Sequence, residues 1–85
     1  MITRKITIGL PTGLEARPIA VLVQMASQYD SSIYIEDDVR KVNAKSIMGM
    51  MALGLGTGEE VTVSADGVDE TAAVDAIEKY LRSNS

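Results

Sequence analysis

Every extended segment of this chain alternates apolar and polar residues, which is the two-residue period of a strand with one buried face. The alternating apolar positions fall in three segments: Ile2, Ile6 and Ile8; Ile33 and Ile35; Val61, Val63 and Ala65. None of the segments is a continuous apolar run, as a strand covered on both faces would be. The pattern therefore predicts an antiparallel sheet with one face in water and all helices on the other.

Three segments with helical spacing separate these strands. The first has Pro18 in its first turn, where proline is tolerated, and runs to about Tyr29. The second is a short helix of two turns within the apolar stretch 47–55, directly after Ser46, a good N-cap residue. The third begins after Asp69, its predicted cap. Its inner stripe is formed by Ala73, Ile77, Tyr80 and Leu81.

An acidic turn joins two of the strands into a predicted hairpin. The run Glu36-Asp37-Asp38 lacks the alternating oxygen ligands of a calcium-binding loop, so we interpret it as a charged turn. A strand from Val39 to Val42 returns after it. The order β-α-β-β-α-β-α predicts an α+β fold: an open-faced β-sandwich, a four-stranded antiparallel sheet with three helices on one face. Residues 83–85 are expected to fray.

Length and composition restrict the class of protein. The 85 residues support one domain, 1–85, with a single core. A net charge of -4 argues against direct nucleic-acid binding, which needs clustered Lys and Arg. Without cysteine or histidine, thiolate and imidazole metal sites are excluded, and we expect no metal and no cofactor. No apolar run of membrane length or signal-peptide pattern occurs, so we expect a cytoplasmic protein with no membrane partner.

Two motifs, separated by about thirty residues, point to a family. The segment 12–18 reads TGLEARP, and the segment 42–49 reads VNAKSIMG. Together they resemble the phosphorylation loop and the regulatory serine site of the HPr family, the small phosphocarriers of the sugar phosphotransferase system. The resemblance covers essentially the whole chain, and it implies the same element order as the periodicity does.

The residue that carries phosphate in this family is replaced here. The resemblance places the active histidine at position 15, but Glu15 stands there and the chain contains no histidine. Because a carboxylate is a weak nucleophile, we expect no histidine phosphocarrier activity. Family members without the histidine are expected to have glutamine at this position, so Glu15 departs from both patterns. Three interpretations stay open: an inert surface residue, an imitation of phosphohistidine, and an engineered substitution in an ordinary carrier.

The second motif retains the regulatory serine. The resemblance implies that Ser46 is phosphorylated by HPr kinase/phosphorylase, and that the modified protein binds catabolite control protein A. It also implies that Arg17 and Lys45 pair with the phosphate or with acidic groups of a partner. A phosphate at Ser46 would lie at the favourable end of a helix, so its addition need not unfold the chain.

The short helix after Ser46 offers an apolar surface. If Met50 and Leu53 face the core, helical spacing puts three residues on the outer side: Ile47, Met48 and Met51. Exposed methionines favour adaptable protein contacts, so we predict a partner docking patch here. The alternative, that these are core residues of a small protein, stays open for part of the set.

These observations predict a regulatory HPr-like phosphoprotein of carbon catabolite repression that is not an enzyme and is a monomer or weak homodimer. Two alternatives come from other functional classes. One is an HPr phosphocarrier of the sugar phosphotransferase system with a His-to-Glu substitution at position 15. The other is an HPr-like adaptor domain that is never phosphorylated.

Overall fold

The chain forms four strands and three helices in the predicted order. In this computed structural model, which describes residues 1–83, the elements are β1 Ile2–Thr7, α1 Ala16–Ser27, β2 Ser32–Glu36, β3 Lys41–Asn43, α2 Ile47–Met51, β4 Glu60–Asp66 and α3 Glu70–Leu81. Ser83 donates its backbone N–H to the Tyr80 carbonyl at 3.0 Å, so it remains attached to the last helical turn. The fraying predicted for residues 84 and 85 lies outside the described residues.

The strands form one antiparallel sheet in the order β1-β4-β2-β3. Ile6 lies opposite Val61, and Ile35 lies opposite Val63, so the alternating apolar residues of neighbouring strands share one face. The largest fully buried apolar side chains of this core come from the strands, from all three helices and, for Ile8, from the loop after β1: Ile6, Ile8, Leu22, Ile33, Ile35, Met50, Val61, Val63, Val74, Ile77 and Leu81. The predicted α+β open-faced sandwich is confirmed.

Local hydrogen bonds in the β2–β3 turn make β3 begin later than predicted. The strand predicted from Val39 is wrong at its start, because β3 begins at Lys41. The Asp37 carboxylate accepts the backbone N–H groups of Val39 at 2.8 Å and Arg40 at 2.6 Å, and these bonds hold both residues in the turn. Bonding to these N–H groups lowers the pKa of Asp37. Val39 is therefore an exposed turn residue.

Two helices also differ from their predicted lengths. Helix α1 begins at Ala16 and ends at Ser27, two residues before the predicted end. Helix α2 has 5 residues and is shorter than two turns. Its last turn tightens, because Ala52 and Leu53 donate N–H groups to the carbonyls three residues earlier. Gly54, with φ +57, then leads the chain away.

Asp69 has a different role from the predicted helix cap. It occupies the N-cap position of α3, but its carboxylate makes no bond to that helix. It instead accepts the N–H of Asp30 at 2.8 Å and both the N–H and the hydroxyl of Ser31. These bonds, the Ser31 hydroxyl first, lower the pKa of Asp69. Asp69 therefore connects the α1–β2 turn to the start of α3.

The helix side of the edge strand β1 contains one charged residue. Arg4 lies between the inward positions Ile2 and Ile6, and its guanidinium contacts Asp75 at 2.6 Å and Glu78 at 2.8 Å. Tyr80, predicted in the inner stripe of α3, is only partly buried at the rim of the core. Val74 completes the buried stripe of that helix.

Candidate functional site

The first motif forms the loop from β1 to α1, and its position depends on Gly13. This residue has φ +70, and an added Cβ would lie 2.7 Å from the Gly56 Cα and from the Leu55 carbonyl oxygen. Leu14 donates its N–H to the same Leu55 carbonyl at 2.8 Å, and the Thr57 hydroxyl donates to the Leu10 carbonyl. Only glycine fits this close approach. The loop is thereby fixed to the α2–β4 connection.

Glu15 begins helix α1 without capping it. Its backbone is extended, with φ -96 and ψ -175, and its side chain makes no cap hydrogen bond. The N–H groups of Ala16 and Arg17 have no partner within the helix, and Pro18, the third helical residue, has no N–H. The exposed Glu15 carboxylate therefore makes no cap bond to these first N–H groups of α1. No side-chain hydrogen bond within residues 1–83 supports an imitation of phosphohistidine by Glu15.

A shallow groove lies beside this helix end. It is lined by Leu10, Pro11, Thr12, Glu15, Ala16, Arg17, Pro18, Val21 and Tyr80. Burial raises the pKa of Tyr80, and the positive charge of Arg17 opposes that rise. Val21 and Tyr80 were not predicted from the sequence as parts of this surface. The available signal was Val21 itself, an apolar residue of α1 that lies outside the buried stripe.

Ser46 is the N-cap of α2, as predicted. Its backbone is extended, and its Oγ accepts the N–H of Gly49 at 3.2 Å. Asn43 organises the approach to this cap, because its carbonyl accepts the N–H of Ser46 at 3.0 Å and its Oδ1 accepts the N–H of Lys45 at 2.8 Å. The residue is half-buried. A turn and a helix end therefore hold the serine in place.

The basic residues near the second motif contact helix ends. The Lys45 ammonium donates to the Tyr29 carbonyl, just beyond the end of α1, at 2.7 Å. The Arg40 guanidinium donates to the Ala52 carbonyl, at the end of α2, at 2.9 Å. Cations are favourable at such ends, where carbonyl groups lack helical partners. Neither contact was predicted from the sequence, because the two residues of each contact are distant in the chain.

The outer side of α2 is apolar. Ile47 is 50% exposed, Met48 is 85% exposed and Met51 is 57% exposed, whereas Met50 is fully buried and Leu53 nearly so. This is the facing that helical spacing predicted. We call Ile47, Met48 and Met51 the α2 patch. It directly follows Ser46, so a group attached to the serine would lie at its border.

The two motifs form neighbouring but separate surfaces. Helices α1 and α2 pack against each other, yet the groove beside Arg17 includes no residue of α2. Within residues 1–83 the Arg17 guanidinium makes no hydrogen bond to Ser46. In the same part of the chain no cluster of three or more acidic side chains could hold a metal ion. No helix among these residues is long and apolar enough to span a bilayer.

Comparisons with known proteins agree with the fold and with the family resemblance. The family profile described as "PTS HPr component phosphorylation site" matches residues 2–83. HPr-like protein Crh of Bacillus subtilis is 46% identical over 82 residues, 96% of each chain. The crystal structure of HPr-C-His from Thermoanaerobacter tengcongensis has a TM-score of 0.90 at 48% identity, and the match covers 95% of this chain and 91% of that one.

A second solved structure is also similar. Crystalline Crh of Bacillus subtilis, described as a dimer with a swapping domain, has a TM-score of 0.79 at 45% identity, covering 100% of this chain and 98% of that one. The match spans both motifs and every element of the sheet and helices. The chain therefore belongs to the HPr family.

Proposed function

We propose that this chain is a cytosolic regulatory phosphoprotein of carbon catabolite repression, with Ser46 as its phosphoacceptor. One observation carries the proposal: the family's phosphohistidine position holds Glu15, while Ser46 keeps an ordered N-cap geometry beside an exposed apolar patch. The similarity to Crh, named as an HPr-like protein, supports a relative of the carriers with a distinct role.

Phosphorylation of Ser46 is chemically compatible with this geometry. In the HPr kinase/phosphorylase reaction, Oγ forms a bond to the γ-phosphorus of ATP, ADP leaves with the electron pair of the broken P–O bond, and a base of the kinase takes the hydroxyl proton. The product adds about -1.5 to -2 charges. The Gly49 N–H, which donates to Oγ in the unmodified chain, can donate to a phosphate oxygen instead.

The modified serine would complete a mixed polar and apolar docking surface. The α2 patch supplies apolar area, and the phosphate supplies charge for basic groups of catabolite control protein A. Arg17, exposed at the start of the adjacent α1, supplies a cation for acidic groups of the same partner. The Lys45 ammonium already donates to the Tyr29 carbonyl in the unmodified chain. We infer a monomer or a weak homodimer, and the dimers described for Crh support the second.

Replacement of Ser46 tests both its proposed phosphorylation and its role as the cap of α2. Ser46→Ala should accept no phosphate from HPr kinase/phosphorylase and should lose the bond from Gly49, which lowers the free energy of unfolding by about 0.5 to 2 kcal/mol. Phosphopeptide mapping and urea titration measure the two effects. Phosphate that appears on Ser31, Ser32 or Thr57 of the variant would move the proposed site.

Binding to catabolite control protein A tests the proposed function itself. The phosphorylated protein should bind, and the phosphorylated Met48→Ser variant should bind at least about fivefold more weakly, since truncated interface anchors commonly cost above about 1 kcal/mol. Val39→Ser is the matched control, because Val39 is equally exposed but lies in the β2–β3 turn. Equal binding of phosphorylated and unphosphorylated protein would contradict the proposal.

A second candidate function is the phosphocarrier of the sugar phosphotransferase system, altered at position 15. The intact loop favours it, because Gly13, Arg17 and the open first turn of α1 surround Glu15. Glu15→His should then recover phosphate acceptance from Enzyme I, with Glu15→Gln as the inactive control. Recovery to a full carrier rate would favour an altered carrier, whereas partial recovery agrees with the regulatory role.

A further inference from the structure

Lys45 connects the segment before α2 with the turn after α1. Its ammonium donates to the Tyr29 carbonyl at 2.7 Å in a partly buried contact between residues 16 positions apart. Its backbone is fixed by Asn43, and it immediately precedes Ser46. The ion pairs within residues 1–83 involve other groups, so in the unmodified chain the ammonium contacts a carbonyl dipole and no carboxylate.

The carbonyl that Lys45 contacts belongs to a turn held from two sides. On the other side, the N–H groups of Asp30 and Ser31 donate to the Asp69 carboxylate at 2.8 and 3.0 Å. Asp69 directly precedes α3. The turn after α1 is therefore fixed by a cation from the approach to α2 and by an anion from the approach to α3. Removal of either contact would loosen the same few residues.

We propose that Lys45 is a switch between the Tyr29 carbonyl and a phosphate on Ser46. In the unmodified chain the ammonium stays on the carbonyl, and in the phosphorylated chain it moves to the phosphate. This inference rests on the proposed phosphorylation of Ser46. A phosphate with about -1.5 to -2 charges attracts an ammonium more strongly than a neutral carbonyl does. The flexible four-carbon stem of lysine lets the side chain exchange one acceptor for another while the backbone stays in place.

Through this switch, phosphorylation of Ser46 would change the mobility of a second surface. Release of the Tyr29 carbonyl loosens the α1–β2 turn, which lies outside the α2 patch. A partner that contacts this turn could then distinguish the two forms without touching Ser46. The coupling would be reciprocal: a partner that holds the turn in its original conformation would weaken the contact between Lys45 and the phosphate.

Amide hydrogen exchange measured by NMR tests the switch. Phosphoserine is placed at position 46 during synthesis, so no kinase is needed. Exchange of the Asp30 and Ser31 amides should rise at least about threefold on phosphorylation. Lys45→Met should raise it equally without phosphate, and phosphoserine should add nothing further in that variant. Lys41→Met is the matched control, because this substitution removes the same charge at a different place. The Lys41 ammonium lies over the Tyr34 ring, 5.0 Å from its centroid.

Two results would overturn the switch. Unchanged Asp30 and Ser31 exchange in the phosphoserine protein would mean that Lys45 stays on the Tyr29 carbonyl. Unchanged exchange in Lys45→Met would mean that the contact does not hold the turn. Failure of the proposed function is distinguished from both, because it appears in a separate reaction as absence of phosphate after incubation with HPr kinase/phosphorylase.

Discussion

Asp69 shows how the role of one residue depends on partners that are distant in the chain. Its position before α3 made a helix cap the natural interpretation. The structure instead brings the α1–β2 turn beside it, and the buried Ser31 supplies a hydroxyl and an N–H at a separation of 38 residues. Gly67 reinforces the junction, because an added Cβ there would lie 2.6 Å from the Ser31 Oγ. The Asp69 carboxylate accepts hydrogen bonds from these donors, so its role is to stabilise the fold.

The lowered pKa of Asp69 predicts a specific pH dependence of stability. A carboxyl group whose folded pKa lies below its unfolded value stabilises the fold above the unfolded pKa, here 3.8, and this contribution is lost as pH falls through the folded pKa. Asp69→Asn should therefore unfold at lower urea concentration than the parent protein at pH 7. The difference should shrink below pH 3.8.

Urea titrations of both proteins across this pH range measure the effect. The lowered pKa values of Asp37 and Glu70 give both proteins a shared loss of stability in acid, so only the difference between the curves reports on Asp69. A difference that is constant with pH would show that the carboxylate charge does not stabilise this junction.

Among the elements, α2 combines a structural face and an exposed face within five residues. Met50 is fully buried in the core and Met48 is 85% exposed, although the two are chemically identical. Met50→Ala should lower the free energy of unfolding by about 2 to 5 kcal/mol. Met48→Ala should change it by less than about 0.5 kcal/mol. Chemical denaturation compares the pair, and similar losses would show that the α2 patch belongs to the core.

The loop before α1 supports a second prediction at this scale. Gly13 and Gly54 both have positive φ, +70 and +57, but an added Cβ collides with backbone atoms only at Gly13 and meets nothing within 4 Å at Gly54. Gly54→Ala should cost about 1 to 2 kcal/mol for the backbone conformation alone. Gly13→Ala should cost at least about 1 kcal/mol more, because the loop must move. Equal stability losses would show that the loop moves freely at Gly13.

For the whole molecule, the sequence predicted the order of the elements and their buried faces better than the boundaries of the elements. Strand alternation and helical spacing are local signals, and the core needs them in one arrangement, so the order of elements and the buried faces followed from them. The start of β3 and the end of α2 were missed, because hydrogen bonds from Asp37 and a tightened last turn decide them. Arg4 on the helix side of β1 was missed for a related reason: its acidic partners are on α3.

In the candidate site, too, some features were predicted from the sequence and others were not. The two motifs located Glu15, Arg17 and Ser46, and spacing predicted which side of α2 is exposed. The contact of Lys45 with Tyr29 was not predictable, because it depends on how α1 packs beside the approach to α2. Lys45 was predicted to be a cation available beside Ser46, but in the structure its ammonium is bound to the Tyr29 carbonyl.

Intact-mass measurement after two parallel incubations tests the central claim most directly. One sample receives HPr kinase/phosphorylase and ATP, and the other receives Enzyme I and phosphoenolpyruvate. With Ser46 as a capping hydroxyl and no histidine in the chain, the first sample should gain the mass of one phosphoryl group and the second should gain none. A phosphoryl group from Enzyme I, or none from the kinase, would contradict a regulatory role through Ser46.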